Sequence, residues 1–415
     1  MRNPTALRRD ISVMFFGHNQ SVFQSLHASQ IRSPTIKTSK FNLAFLGVAI
    51  ACASTAIAAN AASWKVVVSP NGGSRPEGNT LLATVALAST DAWAVGAKPN
   101  PTQSLTAPLA EHWDGTRWSI VRTPAIAQPT VQLNSISAVR GNEIWAAGYS
   151  DNPSCFCGQT LVERWNGTSW KRVSSPNPGI ADYLYGIAAV SPTDVWAVGY
   201  EWLSQSSSVP LIMHYDGNIW TTFTLSKFQL GRLSAVFAVA RNDVWAVGWN
   251  GQVGATRGLA LHWDGLSWTQ VTVPAQSGGG ILLKSVSGAA TKDVWAAGMY
   301  HYYDIFGNLQ NSARAFHWNG LRWQAVTVGL GGYSYLNSIA VRQTNDVWAV
   351  GAGFVGTSQQ YTYATLHWDG SHWSNVTNPN EGVLDAVSAF SSSDVWAVGR
   401  GFVTPGTHTI RYSAP

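Results

Sequence analysis

Charge is what this chain of 415 residues has least of. Asp, Glu, Lys and Arg make up 11% of it, against about a quarter in ordinary soluble proteins. Disordered chains combine few aromatics with high net charge. Here 21 tryptophans, 13 tyrosines and 14 phenylalanines accompany the low charge, so that class is excluded. The formal charge of +5 resides in the N-terminal part. Residues 1–61 hold six basic residues and one acidic residue, which leaves 20 of each sign beyond them. A body without a net field has nothing to draw in a phosphate backbone, which excludes nucleic acid as a partner.

Cysteine is also scarce, at three residues. Cys155 and Cys157 share the stretch "NPSCFCGQ", which reads as a surface loop with two thiols or a local disulfide. A metal would need further ligands close by, and the local sequence offers none; no metal and no cofactor is expected. The third cysteine, Cys52, lies in "KTSKFNLAFLGVAIACASTAIAANAASW". Two lysines, an apolar run over about 41–59 and the A-x-A pattern Ala59-Asn60-Ala61 are the parts of an export signal. The expectation is a removable segment 1–61 and a single domain at 62–415, secreted or held in the cell envelope, a monomer free of the membrane after cleavage. The rivals are an uncleaved anchor, since Phe41 to Ala59 is just long enough to span a bilayer, and a lipidated Cys52.

What is present in abundance is repetition. "DVWAVG" and its near-copies centre on Trp93, Trp145, Trp196, Trp245, Trp295, Trp348 and Trp396, spaced 48 to 53 residues apart. Twelve residues before each stands a leucine, from Leu81 and Leu133 through Leu384. A second motif follows the first six copies, in forms such as "HWDGTRW", "RWNGTSW" and "HYDGNIW". Asp or Asn before Gly marks a tight turn between two strands. Each repeat is therefore four short strands: one from the leucine, one over "DVWAVG", one ending at "HW" and one opening at the last Trp. In "VWAV" both strand faces are apolar, so both must be covered. Four-stranded sheets covered on both faces and repeated about every 50 residues are propeller blades.

The two ends complete the count. The C-terminus supplies "TIRYSAP", a third strand without a fourth, and the N-terminal "SWKVVVSP" is a fourth strand without the other three. The expected fold is all-β, a seven-bladed β-propeller of four-stranded antiparallel blades whose last blade is closed by the N-terminal strand. The repeated tryptophans are wedges between blades, not a stacking site. The histidines at one repeat position (His112, His214, His262, His317, His367, with Arg164 and Arg411 in the other blades) are expected to make a repeated structural hydrogen bond. The acids at another (Asp91 through Asp394, with Glu143) are expected to cap the turn before the second strand.

An apolar strand ending in Gly, then an aromatic-Asp turn and a Trp opening the last strand resembles the kelch repeat and the galactose-oxidase-like propellers, over nearly all of residues 63–412. The "VW" strands are similar to tectonin repeats, and that resemblance implies binding of surface sugars. The galactose-oxidase likeness implies a propeller and, as an alternative function, a carbohydrate-active or oxidase-type enzyme; its copper chemistry would need a cysteine joined to a tyrosine. A cell-envelope scaffold is the third alternative.

The Leu-to-Trp distance and the turn of the second motif never change length. All insertions fall in the connections after the second strand and after the fourth, which share one rim of an up-and-down blade. Variable loops on a rigid frame are where binding resides. That face is rich in aromatics: Tyr149, Tyr200, Trp202, Trp249, Tyr300, Tyr302 and Tyr303 after the second strand, and Tyr183 and Tyr185 before the first. These are the candidate ligand-binding residues, suited to a glycan or to a protein partner. The stretch 299–316 is expected to form a lid or lip carrying His301 and Asp304. No catalytic constellation is recognised.

Overall fold

The computed structural model describes residues 62–72, 76–100, 105–152, 154–155, 157–225, 227–252, 256–304, 306–354, 361–402 and 404–413. The export segment read at 1–61, with Cys52, lies outside the described residues. Among those described, all regular structure is strand. Twenty-eight strands form five four-stranded antiparallel sheets and one of eight. The eight-stranded sheet is two four-strand meanders joined by a single parallel pair, Thr106 with Thr130. In the sheet that unites the chain's two ends, Ser63–Val66 pairs with Gly406–Ser413 in the register Trp64 to Tyr412. Cys155 and Cys157 are joined as a disulfide.

The turns follow the sequence signal. Gly115 of the first "WDG" turn has φ 96°, and its counterparts Gly167, Gly217, Gly265, Gly320 and Gly370 are all left-handed, which a side chain would oppose. Asp114 Oδ1 accepts from the backbone N–H groups of Thr116 and Arg117, an Asx turn repeated at Asn166, Asp216, Asp264, Asn319 and Asp369.

Tryptophan edges hold neighbouring sheets together. The central Trp of each repeat meets the outermost-strand Trp of the next: Trp93 with Trp170, Trp145 with Trp220, Trp196 with Trp268, Trp245 with Trp323 and Trp295 with Trp373, at centroid distances of 5.2–6.4 Å and near-perpendicular planes. The series closes on itself. Trp348 meets Trp64 at 5.6 Å, and Trp396 meets Trp118 at 5.0 Å. All seven central tryptophans are buried.

The innermost strands (Thr80–Ala88, Thr130–Arg140, Ala181–Ser191, Arg232–Ala240, Gly279–Ala290, Tyr335–Gln343 and Gly382–Ser391) pack side by side in order, and the last packs against the first. Apart from the single Thr106–Thr130 pair, each presents an inner sheet edge with no strand beside it among the described residues, a liability that must be met in some other way. Serines meet it. Ser135 and Ser137 accept from Ile187 N and Ala189 N; Ser285 and Ser287 accept from Ile339 N and Val341 N; Ser338 and Ser388 accept from Val387 N and Ala86 N.

Two expectations change. All seven inner strands begin one to four residues before the leucine instead of at it. The stretch 299–316, expected to form a lid or lip, is largely strand. Asp293–Tyr303 and Leu309–Trp318 pair continuously from Val294 with Trp318 to Tyr303 with Leu309, so the long connection is a hairpin extension with its turn at 304–308. Alternating aromatics can propagate strand pairing.

Candidate functional site

Two layers of repeat-equivalent residues lie at opposite ends of the strands. Near the constant turns, the acid that opens each second strand bonds the third-strand histidine or arginine. His112, His214, His262, His317 and His367 place Nε2 at 2.8–2.9 Å from Asp91, Asp194, Asp243, Asp293 and Asp346. Arg164 and Arg411 make two-pronged contacts of 2.7–2.8 Å with Glu143 and Asp394. The same acids accept from the indole N–H of Trp93, Trp145, Trp295 and Trp348. In the five repeats with a histidine, its imidazole lies against the central indole at 4.1–4.5 Å, as His214 does on Trp196 at 4.1 Å. The two residue sets read separately in the sequence are thus one device that orients the central tryptophan. Clefts of about 440 and 310 Å³ beside Asp91 and Asp194 are gaps in this layer.

At the other end, the glycine of "DVWAVG" pairs with the invariant leucine in every repeat. A Cβ on Gly96, Gly148, Gly199, Gly248, Gly298, Gly351 or Gly399 would collide with the carbonyl oxygen of the residue before that leucine. This close approach is a β-bulge. Register skips one residue after each leucine, and the skipped residue is re-aimed away from the ladder. The seven skipped residues are Leu82, Asn134, Tyr185, Ser234, Lys284, Asn337 and Asp385. They form a ring on the innermost strands, on the variable-loop side.

One arc of this ring is aromatic. Tyr185 stacks with Tyr200 at 5.8 Å and lies 6.4 Å from Tyr149. Tyr183 stacks on Tyr200 at 5.1 Å and meets Tyr149 edge-on at 5.0 Å. Its hydroxyl donates to Asp151 Oδ2 at 3.1 Å, and burial together with that carboxylate pushes the phenol well above its ordinary pKa. Burial likewise lifts Tyr149 to about 12. Trp202 packs against Tyr200 at 6.2 Å. Arg232 lies 4.2 Å over Tyr200, 5.6 Å over Trp202 and 5.5 Å over Trp249. The structure therefore unites Tyr149, Tyr183, Tyr185, Tyr200, Trp202 and Trp249 through a cation that the sequence reading passed over. Its signal was position: Arg232 directly precedes the invariant Leu233. Tyr185 is 36% exposed, whereas Tyr183 and Tyr200 are buried beneath.

Tyr300, Tyr302 and Tyr303 do not join this group. Tyr300 stacks on Tyr302 at 5.4 Å under Arg314 and donates to Ser277 O. Tyr303 points to the opposite side and is exposed. His301 and Asp304 also part company. His301 is buried against Thr256 Oγ1 at 3.0 Å, and Asp304 holds the hairpin turn through Phe306 N and Asn308 N.

A second arc is charged. Lys284 Nζ donates to Asn337 Oδ1 at 2.9 Å and lies 5.0 Å over the Tyr335 ring. Asn337 Nδ2 donates to Leu384 O at 3.0 Å. Asp385 follows, with its carboxyl pushed up by burial against the opposing pull of Arg400 and Lys284. Lys284 is pushed down by burial and held up by Asp385.

No protein-family model and no curated protein matches the chain. Solved structures do. YCF48 bound to D1 peptide is 16% identical with a TM-score of 0.52, over 85% of this chain and 97% of that one. YCF48 from Cyanidioschyzon merolae is 16% identical with a TM-score of 0.51, over 85% and 99%. The GH74 xyloglucanase from Xanthomonas campestris is 12% identical with a TM-score of 0.50, over 81% of this chain and 53% of that one. These neighbours are β-propellers, and at such identities the likeness is one of fold: the described chain is a tryptophan-rich β-propeller. The kelch resemblance is carried no further than that.

Proposed function

We propose that residues 62–415 form a seven-bladed β-propeller that acts as a binding module, recognising a glycan or a protein partner through its variable-loop face. The seven tryptophan contacts that close on themselves support the blade count. In this reading residues 1–61 export the chain, and the module works as a monomer outside the cytoplasm. The observation that carries the binding role is the aromatic basin, where the 36% exposed Tyr185 stacks on Tyr200 and Arg232 lies over Tyr200, Trp202 and Trp249. A rigid ring backed by a cation suits the apolar face of a sugar or a partner side chain. The fold is compatible with both classes, since one neighbour carries a peptide and another is a xyloglucanase.

The test is binding of the purified protein to a glycan array and a peptide array, repeated with Tyr185→Ala and Trp202→Ala. Each substitution should weaken the binding found by about 30-fold, the effect of losing one hot-spot residue. Unchanged binding in both variants would remove the basin from consideration.

A further inference from the structure

The acids at the constant turns differ in one respect, the use of their second carboxylate oxygen. The first oxygen of each is bonded to the third-strand histidine or arginine. Four repeats also engage the second from within the fold. Glu143 Oε2 accepts from Arg164, Asp293 Oδ2 from Thr344, Asp346 Oδ2 from Arg342 and Asp394 Oδ2 from Arg411. Asp243 Oδ2 is buried without a partner. Asp91 and Asp194 remain, and among the described residues no group donates to the second oxygen of either. These are the two acids that line the clefts of about 440 and 310 Å³.

One glycine keeps the cleft at Asp91 open. Thr344 stands two residues before Asp346, and its hydroxyl reaches Asp293 of the preceding repeat at 2.7 Å. Gly141 holds the equivalent place before Glu143, and a Cβ on it would come within 2.6 Å of Asp91 Oδ2. Without that side chain, 29% of the Asp91 side chain is exposed, against 4–13% for the other six acids.

The lining selects the occupant. Asp91 Oδ1 is already bonded to His112 Nε2 and the Trp93 indole N–H, so a single carboxylate oxygen is left for the cleft. A guanidinium fork is matched by two acceptor oxygens, whereas an ammonium is a compact point charge that one oxygen serves. Half-buried Trp165, 5.0 Å from Trp93, supplies an aromatic wall of the kind that cations favour. Exposed Thr90 and Asn142 offer neutral acceptors for the remaining N–H groups. Asp114, the other carboxylate of the lining, has Arg117 at 3.8 Å. The cleft at Asp194 has the opposite character, because Arg241 stands where Gly141 stands and lines it with a cation of the chain's own.

We propose that the cleft between Asp91 and Gly141 binds a primary ammonium group, that of a lysine side chain on a protein partner, with Asp91 Oδ2 accepting its hydrogen bond and Trp165 as its aromatic wall. The site lies at the constant-turn end of the sheets, away from the basin at Tyr185, so either can fail alone.

The experiment follows the tryptophan indole N–H resonances of the isotope-labelled protein during titration with butylammonium, butylguanidinium and butanol at constant ionic strength. The Trp93 indole donates to Asp91, so its resonance, assigned by the shift that Asp91→Asn causes, reports on this carboxylate. Butylammonium should move it saturably and leave the Trp196 resonance, beside the Asp194 cleft, in place. Acetyl-Gly-Lys-Gly-amide should act in the same way, and its Nε-acetylated form should not. Gly141→Thr, which adds the hydroxyl that Thr344 gives to Asp293, should weaken the amine by about tenfold or more, the worth of a hydrogen bond to a charged group. Asp91→Asn should do the same, with the unfolding temperature of each variant recorded; if it fails to fold, Gly141→Thr carries the result and the resonance is assigned from that variant. Butanol or butylguanidinium binding as well as butylammonium overturns the proposal. So does amine binding that Gly141→Thr leaves unchanged, or no saturable response. A response to butylammonium with none to the lysine peptide overturns the assignment to a protein partner.

Discussion

The two ends of each inner and second strand were built under different rules. At the constant turns, seven equivalent positions hold an acid in every repeat, and their partners are five histidines and two arginines. At the variable end, seven equivalent positions hold Leu82, Asn134, Tyr185, Ser234, Lys284, Asn337 and Asp385, with hardly a chemistry in common. Both sets are equally regular in backbone. The first is uniform because each acid bonds the histidine or arginine of the third strand, and four of the seven also hold the indole of the central tryptophan. The second varies because the bulge sets only where the side chain is presented; Asn134, Lys284 and Asn337 use it to bond a neighbouring repeat, whereas Tyr185 stacks on Tyr200. Uniformity at a repeated position marks construction, and variety at an equally regular one marks a surface free to specialise.

The strongest way to break the comparison is to attack closure itself. Removing 63–70 takes away Ser63–Val66 with Trp64, hence the outer strand beside Gly406–Ser413 and the partner of Trp348. Cooperative thermal unfolding should be lost; a truncated chain that melts like the parent would show that the ring does not need its final strand. Next in size is Trp245→Ala, which removes a fully buried wedge facing Trp323 and Trp318. Denaturant titration should show a loss of about 3–5 kcal/mol.

Two repeats break their own pattern, and that offers a pH test. Glu111 and Glu163 are fully buried where the other repeats place Met213, Leu261, Phe316, Leu366 and Ile410. Burial lifts both carboxyls to about 8, against the small opposing effects of Ser69 on Glu111 and Arg172 on Glu163. The unfolded chain releases these protons near pH 4.5, and the folded chain keeps them until about pH 8. Stability from these two groups therefore falls as pH rises through that window and levels off above it, by about 1.4 kcal/mol per pH unit for each group at the steepest. Glu111→Gln with Glu163→Gln should flatten the slope and raise the unfolding temperature at pH 8. An unchanged slope would mean that the two carboxyls are not protonated in the fold. Smaller again is Asp243→Ala, which strips His262 of its partner. Urea unfolding should show a loss of about 1–2 kcal/mol.

Much of this was legible because it recurs. Leucine, tryptophan and glycine at fixed spacing identify the four strands of each repeat, and the unmatched strands at the two ends anticipate the pairing of Trp64 with Tyr412. The acids and histidines were visible as two sets, yet their bond to each other was not, since they sit 19 to 24 residues apart on neighbouring strands. The aromatic basin was half legible. Six of the nine aromatics chosen do converge, but Tyr300 and Tyr302 alternate with Tyr303 along a strand and so diverge. The ring escaped notice because it contributes one residue per repeat and no two neighbours share a chemistry. Its signal lay in the glycine. A position where any Cβ meets a carbonyl implies a bulge opposite, and a bulge implies a displaced side chain.

The weakest perturbation sharpens the comparison most. Ser234→Ala alters a ring position that, among the described residues, makes no hydrogen bond to a neighbouring repeat of the kind that Asn134, Lys284 and Asn337 make. It should change unfolding free energy by less than about 0.5 kcal/mol, as an ordinary surface substitution does. Gly248→Ala, in the same repeat and opposite the same bulge, forces a Cβ against the Arg232 carbonyl and should cost several times more. The pair isolates the two halves of one device: the glycine that makes the bulge and the residue the bulge displays. Equal effects in denaturant titration would mean that the displayed residue is part of the framework after all, and the contrast between a uniform layer and a free ring would fail.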